Sequence, residues 1–187
     1  MERRRFTRFA PLAALAAMLV STGARAQLSV GAKAPDFTAK GALAGKEISF
    51  SLSKHLKKGP VVVYFYPKAF TQGCTLEARA FAEASGDFAK AGATVIGMSN
   101  DDVPTLQRFS KEECRDKFAV AAATPQVVSA YDVALKRDGN ATAFTSRTSY
   151  VVGKDGRIVF VHSNMDWRDH VKLTLEAVRK LKAGKKV

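Results

Sequence analysis

The chain has 187 residues, 47% of them apolar, enough for one domain around one hydrophobic core. A formal net charge of +13 raises the question of a nucleic-acid or membrane partner. The distribution argues against both: Lys172, Arg179, Lys180, Lys182, Lys185 and Lys186 crowd the C-terminal end, where cations suit a helix dipole, and no aromatic platform or nucleic-acid motif accompanies them.

At the start, Arg3, Arg4, Arg5 and Arg8 precede an apolar run from Phe9 to Val20, and Ala24-Arg25-Ala26 has the small-x-small form of a cleavage site. The run is too short for the roughly 20 residues of a membrane helix. Residues 1–26 are therefore expected to be a cleaved export signal, and 27–187 a single exported, periplasmic domain. An ordinary secretory signal and a twin-arginine signal, suggested by Arg3-Arg4-Arg5-Phe6, both fit. Cleavage removes five basic residues and one acidic residue, taking the charge from +13 to +9.

Asp36-Phe37-Thr38 reads as a short extended segment. Gly41 and Gly45 are expected to bracket a turn, with Ile48 and Phe50 alternating on an edge hairpin. Ser53 to Lys58 is a brief helical turn, and Gly59-Pro60 launches Val61 to Tyr66, an uncharged β-branched and aromatic run that suits a strand buried on both faces. Pro67 stops it. Cys74, Ala78, Phe81, Ser85 and Phe88 then mark one stripe of a helix ending near Gly92.

Residues 93–99 form a second buried strand, and Asp101 or Asp102 caps a helix carrying Val103, Leu106 and Phe109. A short strand from Phe118 to Ala123 and a short helix from Pro125 to Tyr131 follow. Arg137 to Ala143 is polar and reads as a loop. Thr148 to Val152 and Arg157 to Val161 flank Gly153-Lys154-Asp155-Gly156, a hairpin signal. Asp166 is expected to open a last helix on Val171, Leu175, Val178 and Leu181. Strands alternating with helices give a three-layer α/β domain.

Cys74 falls in the first turn of its helix, where unpaired N–H groups and the dipole favour thiolate, the nucleophilic form. Pro67, Thr71 and Cys74 together spell Pro-x-x-x-Thr-x-x-Cys, which resembles the active-site motif of the peroxiredoxins. Phe65-Tyr66-Pro67-Lys68 and Gly73-Cys74-Thr75-Leu76-Glu77 are most similar to the peroxiredoxin Q, or bacterioferritin comigratory protein, branch. The likeness runs from Gly31 to the C-terminal helix.

The resemblance implies a thioredoxin-like fold, a central mixed sheet flanked by helices, and a thiol-dependent peroxidase acting on hydrogen peroxide and organic hydroperoxides. It implies that Cys74 is oxidised to a sulfenic acid, that Thr71 and the N–H groups around Gly73 align thiolate and peroxide, and that Pro67 walls the sulfur from water. Arg147, at the hairpin entrance, matches the family's arginine and would stabilise charge on the leaving oxygen. Glu77, at the family's acidic position, would orient Arg147 or fray the helix; an N-terminal-turn acid that stabilises the helix dipole is its other reading. No cofactor and no metal are implied; His55 reads as exposed, and His162 and His170 as structural or surface residues.

The recycling half matches less well. Positions where the branch carries a resolving cysteine hold Arg79 and Ser110, and position 72 is Gln. Cys114, the other cysteine of the chain, is the expected resolving residue, reached by local unfolding through its polar neighbours Lys111 to Lys117; a half-buried structural cysteine is the other reading. The expected partners are a hydroperoxide and a thioredoxin-like or other thiol reductant, with the chain a monomer or weak homodimer. A general thiol–disulfide oxidoreductase and a non-catalytic domain with a Cys74–Cys114 disulfide stay open beside the peroxidase.

Overall fold

Short apolar runs and amphipathic stretches alternate along residues 27–187, which the computed structural model describes. The expected export signal, residues 1–26, lies outside them. In chain order the elements are β1 (Thr38–Leu43), β2 (Lys46–Ser51), α1 (Leu52–Leu56), β3 (Val61–Phe65), α2 (Gln72–Lys90), β4 (Thr94–Ser99) and α3 (Val103–Glu112). They continue with β5 (Ala119–Ala122), α4 (Pro125–Ala130), β6 (Ala134–Arg137), β7 (Asn140–Thr145), β8 (Thr148–Val152), β9 (Ile158–Ser163) and α5 (His170–Lys182).

Seven strands form one mixed sheet in the order β2-β1-β5-β4-β3-β8-β9. β3 lies inside it, parallel to β4 and antiparallel to β8, and every residue of it is buried. The two-residue period of a strand divides its side chains between two cores. Val61, Val63 and Phe65 pack on one face with Leu52 and Leu56 of α1 and Val127 and Val128 of α4. Val62 and Tyr64 pack on the other with Phe81 of α2, Phe109 of α3 and Val178 of α5. This is the expected three-layer arrangement.

Three local expectations change. Gly41 sits within β1, paired with Ala121, because a Cβ there would lie 2.1 Å from the Val120 carbonyl oxygen. The turn is made instead by Ala44 and Gly45, both at positive φ. The polar segment from Arg137 to Ala143 is no loop: β6 and β7 pair as a separate ribbon turning at Asp138-Gly139, both at positive φ. Its residues are polar because the ribbon stands mostly in solvent and is held by its own backbone bonds. The last helix begins at His170, after Asp169, four residues later than Asp166.

The sheet's outer strand β9 is partly covered by the segment that precedes β1. Gly31 N–H donates to the Ile158 carbonyl at 2.7 Å, and Ile158 N–H donates to the Ala32 carbonyl at 2.9 Å. Leu28 N–H reaches the buried Tyr150 hydroxyl at 3.2 Å.

Candidate active site

The β3 strand ends at Phe65, and the next six residues carry the chain to the start of α2. Asp101 holds this loop, its Oδ2 accepting from the Ala69 N–H at 2.7 Å and from Ser99 Oγ at 2.8 Å. Asp102, not Asp101, caps α3. Phe70 adopts φ +64, a conformation uncommon for a bulky side chain, with its ring edge-on to Phe109 at 5.2 Å. Thr71 is the N-cap residue, but its hydroxyl donates back to the Lys68 carbonyl at 2.9 Å and does not cap the helix. The first-turn N–H groups of Gln72, Gly73 and Cys74 therefore have no intrahelical acceptor. Cys74 is buried among them, 2% exposed.

The pairing of Phe65 with Thr148 places Arg147, the residue before β8, beside this loop. Its guanidinium is held on three sides. Nη2 lies 3.5 Å from Cys74 Sγ, Nη1 donates to Glu77 Oε2, and Nε donates to the Met165 carbonyl at 3.0 Å. Gly73 leaves room for it: a Cβ there would stand 3.2 Å from Nη2 and 3.8 Å from Trp167. A fixed cation and the open N–H groups of a helix start thus both face the Cys74 sulfur.

Glu77 is fully buried in the second turn of α2, so it is not a first-turn acid. Burial pushes its carboxyl up to about 8, against the pull of Arg147. Its Oε1 lies 3.7 Å from Nδ1 of His170, also fully buried. Among the described residues no group of His, Cys, Asp and Glu is placed to hold a metal ion. The constellation suits a thiolate nucleophile whose target gains charge next to a guanidinium.

Residues 30–161 match the family model described as the AhpC/TSA family. The chain belongs to the AhpC/TSA family. It is 32% identical over 176 residues to the chloroplastic peroxiredoxin Q of Oryza sativa subsp. japonica, covering 91% of this chain and 78% of that protein. It is 29% identical over 154 residues to the peroxiredoxin Bcp of Bacillus subtilis, covering 81% and 96%. The crystal structure of the peroxidoxin BcpB from Mycobacterium tuberculosis superposes with a TM-score of 0.72 at 28% identity, over 81% of this chain and 97% of that one. The enzyme is a peroxiredoxin of the Q/Bcp type: a thiol-dependent peroxidase with a thioredoxin-like fold, using a peroxide and a thiol reductant.

In this peroxiredoxin, Cys74, Arg147 and Glu77 come together as the sequence led one to expect. Thr71 stands exposed at the helix start and Pro67 is half-buried at the head of the loop. Cys114 is set deeper than its polar neighbours suggest. It is fully buried in the core cluster that also holds Cys74, and burial pushes its thiol well above the usual range. Its polar neighbours grip α2 rather than standing free in water: Arg79 Nε meets Glu113 at 2.7 Å and Arg115 meets Glu83 at 3.3 Å. Both cysteines are free thiols. His55 is half-buried rather than exposed, stacked on Phe50 at 4.0 Å and bonded to the Ser51 carbonyl. Asp101 and Trp167 were not expected at the site. An acid beside a helix cap and a tryptophan in a polar loop are signals too common to single out.

Proposed function

We propose that Cys74 is the peroxidatic residue and that Arg147 is its electrostatic partner. The supporting observation is the 3.5 Å approach of Arg147 Nη2 to Cys74 Sγ at the start of α2. The thiolate attacks the terminal oxygen of the hydroperoxide; the O–O bond breaks, and Cys74 leaves as a sulfenic acid, oxidised by two electrons. The departing hydroxide or alkoxide takes a proton from solvent, leaving water or alcohol. Arg147 and the open N–H groups of the first turn of α2 stabilise the charge that moves onto that oxygen. The Thr71 hydroxyl, its hydrogen committed to Lys68, presents lone pairs to the peroxide O–H. Pro67 screens the sulfur from water, and Glu77 orients Arg147.

For recycling, the proposal is that the Cys114 thiol attacks the sulfenic sulfur, releasing water and forming a Cys74–Cys114 disulfide that a thioredoxin-like dithiol reduces. Burial of Cys114 means its end of α3 must open first. Two consecutive residues at positive φ, Arg115 and Asp116, give that segment strain to release. The enzyme acts as an exported protein, on the strength of residues 1–26, and as a monomer or weak homodimer.

The deciding experiment is Cys74→Ser, which keeps side-chain size and removes the thiolate. The variant should fold and consume no peroxide with dithiol present. Turnover by the variant would refute the assignment.

A further inference from the structure

His170 takes no part in the chemistry above, yet it opens α5 fully buried with both ring nitrogens engaged. Nε2 lies 2.9 Å from the Asn164 carbonyl and Nδ1 2.8 Å from Ser149 Oγ. A carbonyl can only accept, so Nε2 carries the hydrogen. Burial lowers the ring's pKa to about 4, which keeps the imidazole neutral and makes Nδ1 the acceptor of the Ser149 hydroxyl.

Two paths connect this ring to Arg147. One runs through the backbone: Asn164, whose carbonyl takes the ring hydrogen, donates its N–H to the Arg147 carbonyl at 3.2 Å. The next residue, Met165, receives Arg147 Nε at 3.0 Å. The other runs through Glu77, whose Oε2 takes Arg147 Nη1. Its Oε1, without a hydrogen-bond partner among the described residues, faces His170 Nδ1 at 3.7 Å. The guanidinium that touches the sulfur is therefore held by a backbone segment that hydrogen-bonds this imidazole and by a carboxyl group packed 3.7 Å from it.

We propose that His170 is a positioning residue for peroxide reduction, fixing Asn164-Met165 and Glu77 so that Arg147 is aimed at Cys74. The inference rests on the assignment of Cys74 and Arg147 as the reacting pair. It makes a claim that a general packing role does not: the loss should fall on the reaction that needs the aimed cation.

His170→Phe keeps a ring of similar size and removes both nitrogens, whereas His170→Gln returns an N–H for the Asn164 carbonyl. Each folded variant is assayed for the rate of peroxide reduction and for the rate of Cys74 alkylation by iodoacetamide. His170→Phe should slow peroxide reduction by about tenfold or more and alkylation by less than about threefold, because only peroxide develops charge on a leaving oxygen. His170→Gln should recover most of the loss. In an Arg147→Met background, His170→Phe should cost nothing further, since its path has already been cut. Equal slowing of both reactions, or a full additional loss in that background, would overturn the proposal. If His170→Phe does not fold, His170→Asn keeps a polar group near Ser149 but is too short to reach the Asn164 carbonyl, and the same split between the two rates is expected; its absence overturns the proposal. A wild type inert to peroxide would instead refute the reacting pair itself.

Discussion

Arg147→Met keeps most of the side chain's length and removes its charge and all its donors. The lost contacts fall into two groups. Nη2 touches the reacting sulfur at 3.5 Å, and removing one preorganised donor from developing charge costs about 10²–10³ in rate. Nη1 pairs with fully buried Glu77, and breaking a buried pair from one side destabilises by about 3–5 kcal/mol because a charge is left uncompensated. Glu77 has a way out. Burial already holds its carboxyl up near 8 with Arg147 present, and without that cation it rises further and stays protonated. The stability loss should therefore be smallest in acid and grow as the pH rises, and adding Glu77→Gln should remove it while activity stays low. Urea unfolding across pH measures the first effect; rapid-mixing peroxide reduction, compared with alkylation, measures the second. A variant that loses both rates equally would refute charge stabilisation on the leaving oxygen. A stability loss untouched by Glu77→Gln would refute the buried-pair account.

Glu77→Gln alone should alter the pH dependence of stability. The folded-state value near 8 lies above the ordinary 4.5, so the folded chain holds the extra proton between them and the wild type loses stability as pH rises through that window. Unfolding midpoints should fall from about pH 6.5 to 8 in the wild type and stay level in the variant; parallel curves would count against it. His170 acts in the opposite sense: its folded value near 4 lies below 6.5, so stability falls as pH drops through that interval, and His170→Phe should remove this contribution. Gly73→Ala brings a Cβ within 3.2 Å of Arg147 Nη2, so peroxide reduction should slow several-fold with no loss of thermal stability; unchanged kinetics would show that the guanidinium can yield. After one equivalent of peroxide, intact mass should drop by about 2 Da in the wild type as a disulfide forms, and rise by about 16 Da in Cys114→Ser as a sulfenic acid. A wild type that keeps a free Cys114 would be a one-cysteine enzyme served by an outside thiol.

The strand, loop and helix around Cys74 were legible because their signals are local. Val61 to Tyr66 has no other good conformation, Pro67 breaks it, and the stripe from Cys74 to Phe88 has a helical period. The hairpin at Gly153 to Gly156 is equally local. What the sequence hid depends on register. Arg147 and Glu77 are 70 residues apart, and nothing in their own neighbourhoods says that β8 pairs with β3, so the likeness to the family alone joined them. His170 was hidden twice over: its helix starts later than Asp166 suggests, and its two bonds join residues that are ordinary on their own. The β6–β7 ribbon failed for a different reason. Periodicity reports burial, and strands exposed to water carry almost none, although Asp138-Gly139 was a turn signal in plain view. Gly41 was misassigned because the contact that demands glycine comes from Val120, far along the chain.

The residues from Leu28 to Ala34 resemble a mere lead-in, yet they occupy hydrogen-bonding sites on the sheet's outer strand at Ile158. The opposite outer strand, β2, protects itself with exposed Lys46 and Glu47, a charged margin that discourages another chain from docking. At its start β9 has a borrowed cover instead. Proteolytic trimming past Ala34 would strip that cover and leave the Ile158 N–H and carbonyl open to templating by a neighbouring molecule. Such trimming would appear as self-association and lost solubility, with the chemistry at Cys74 still intact.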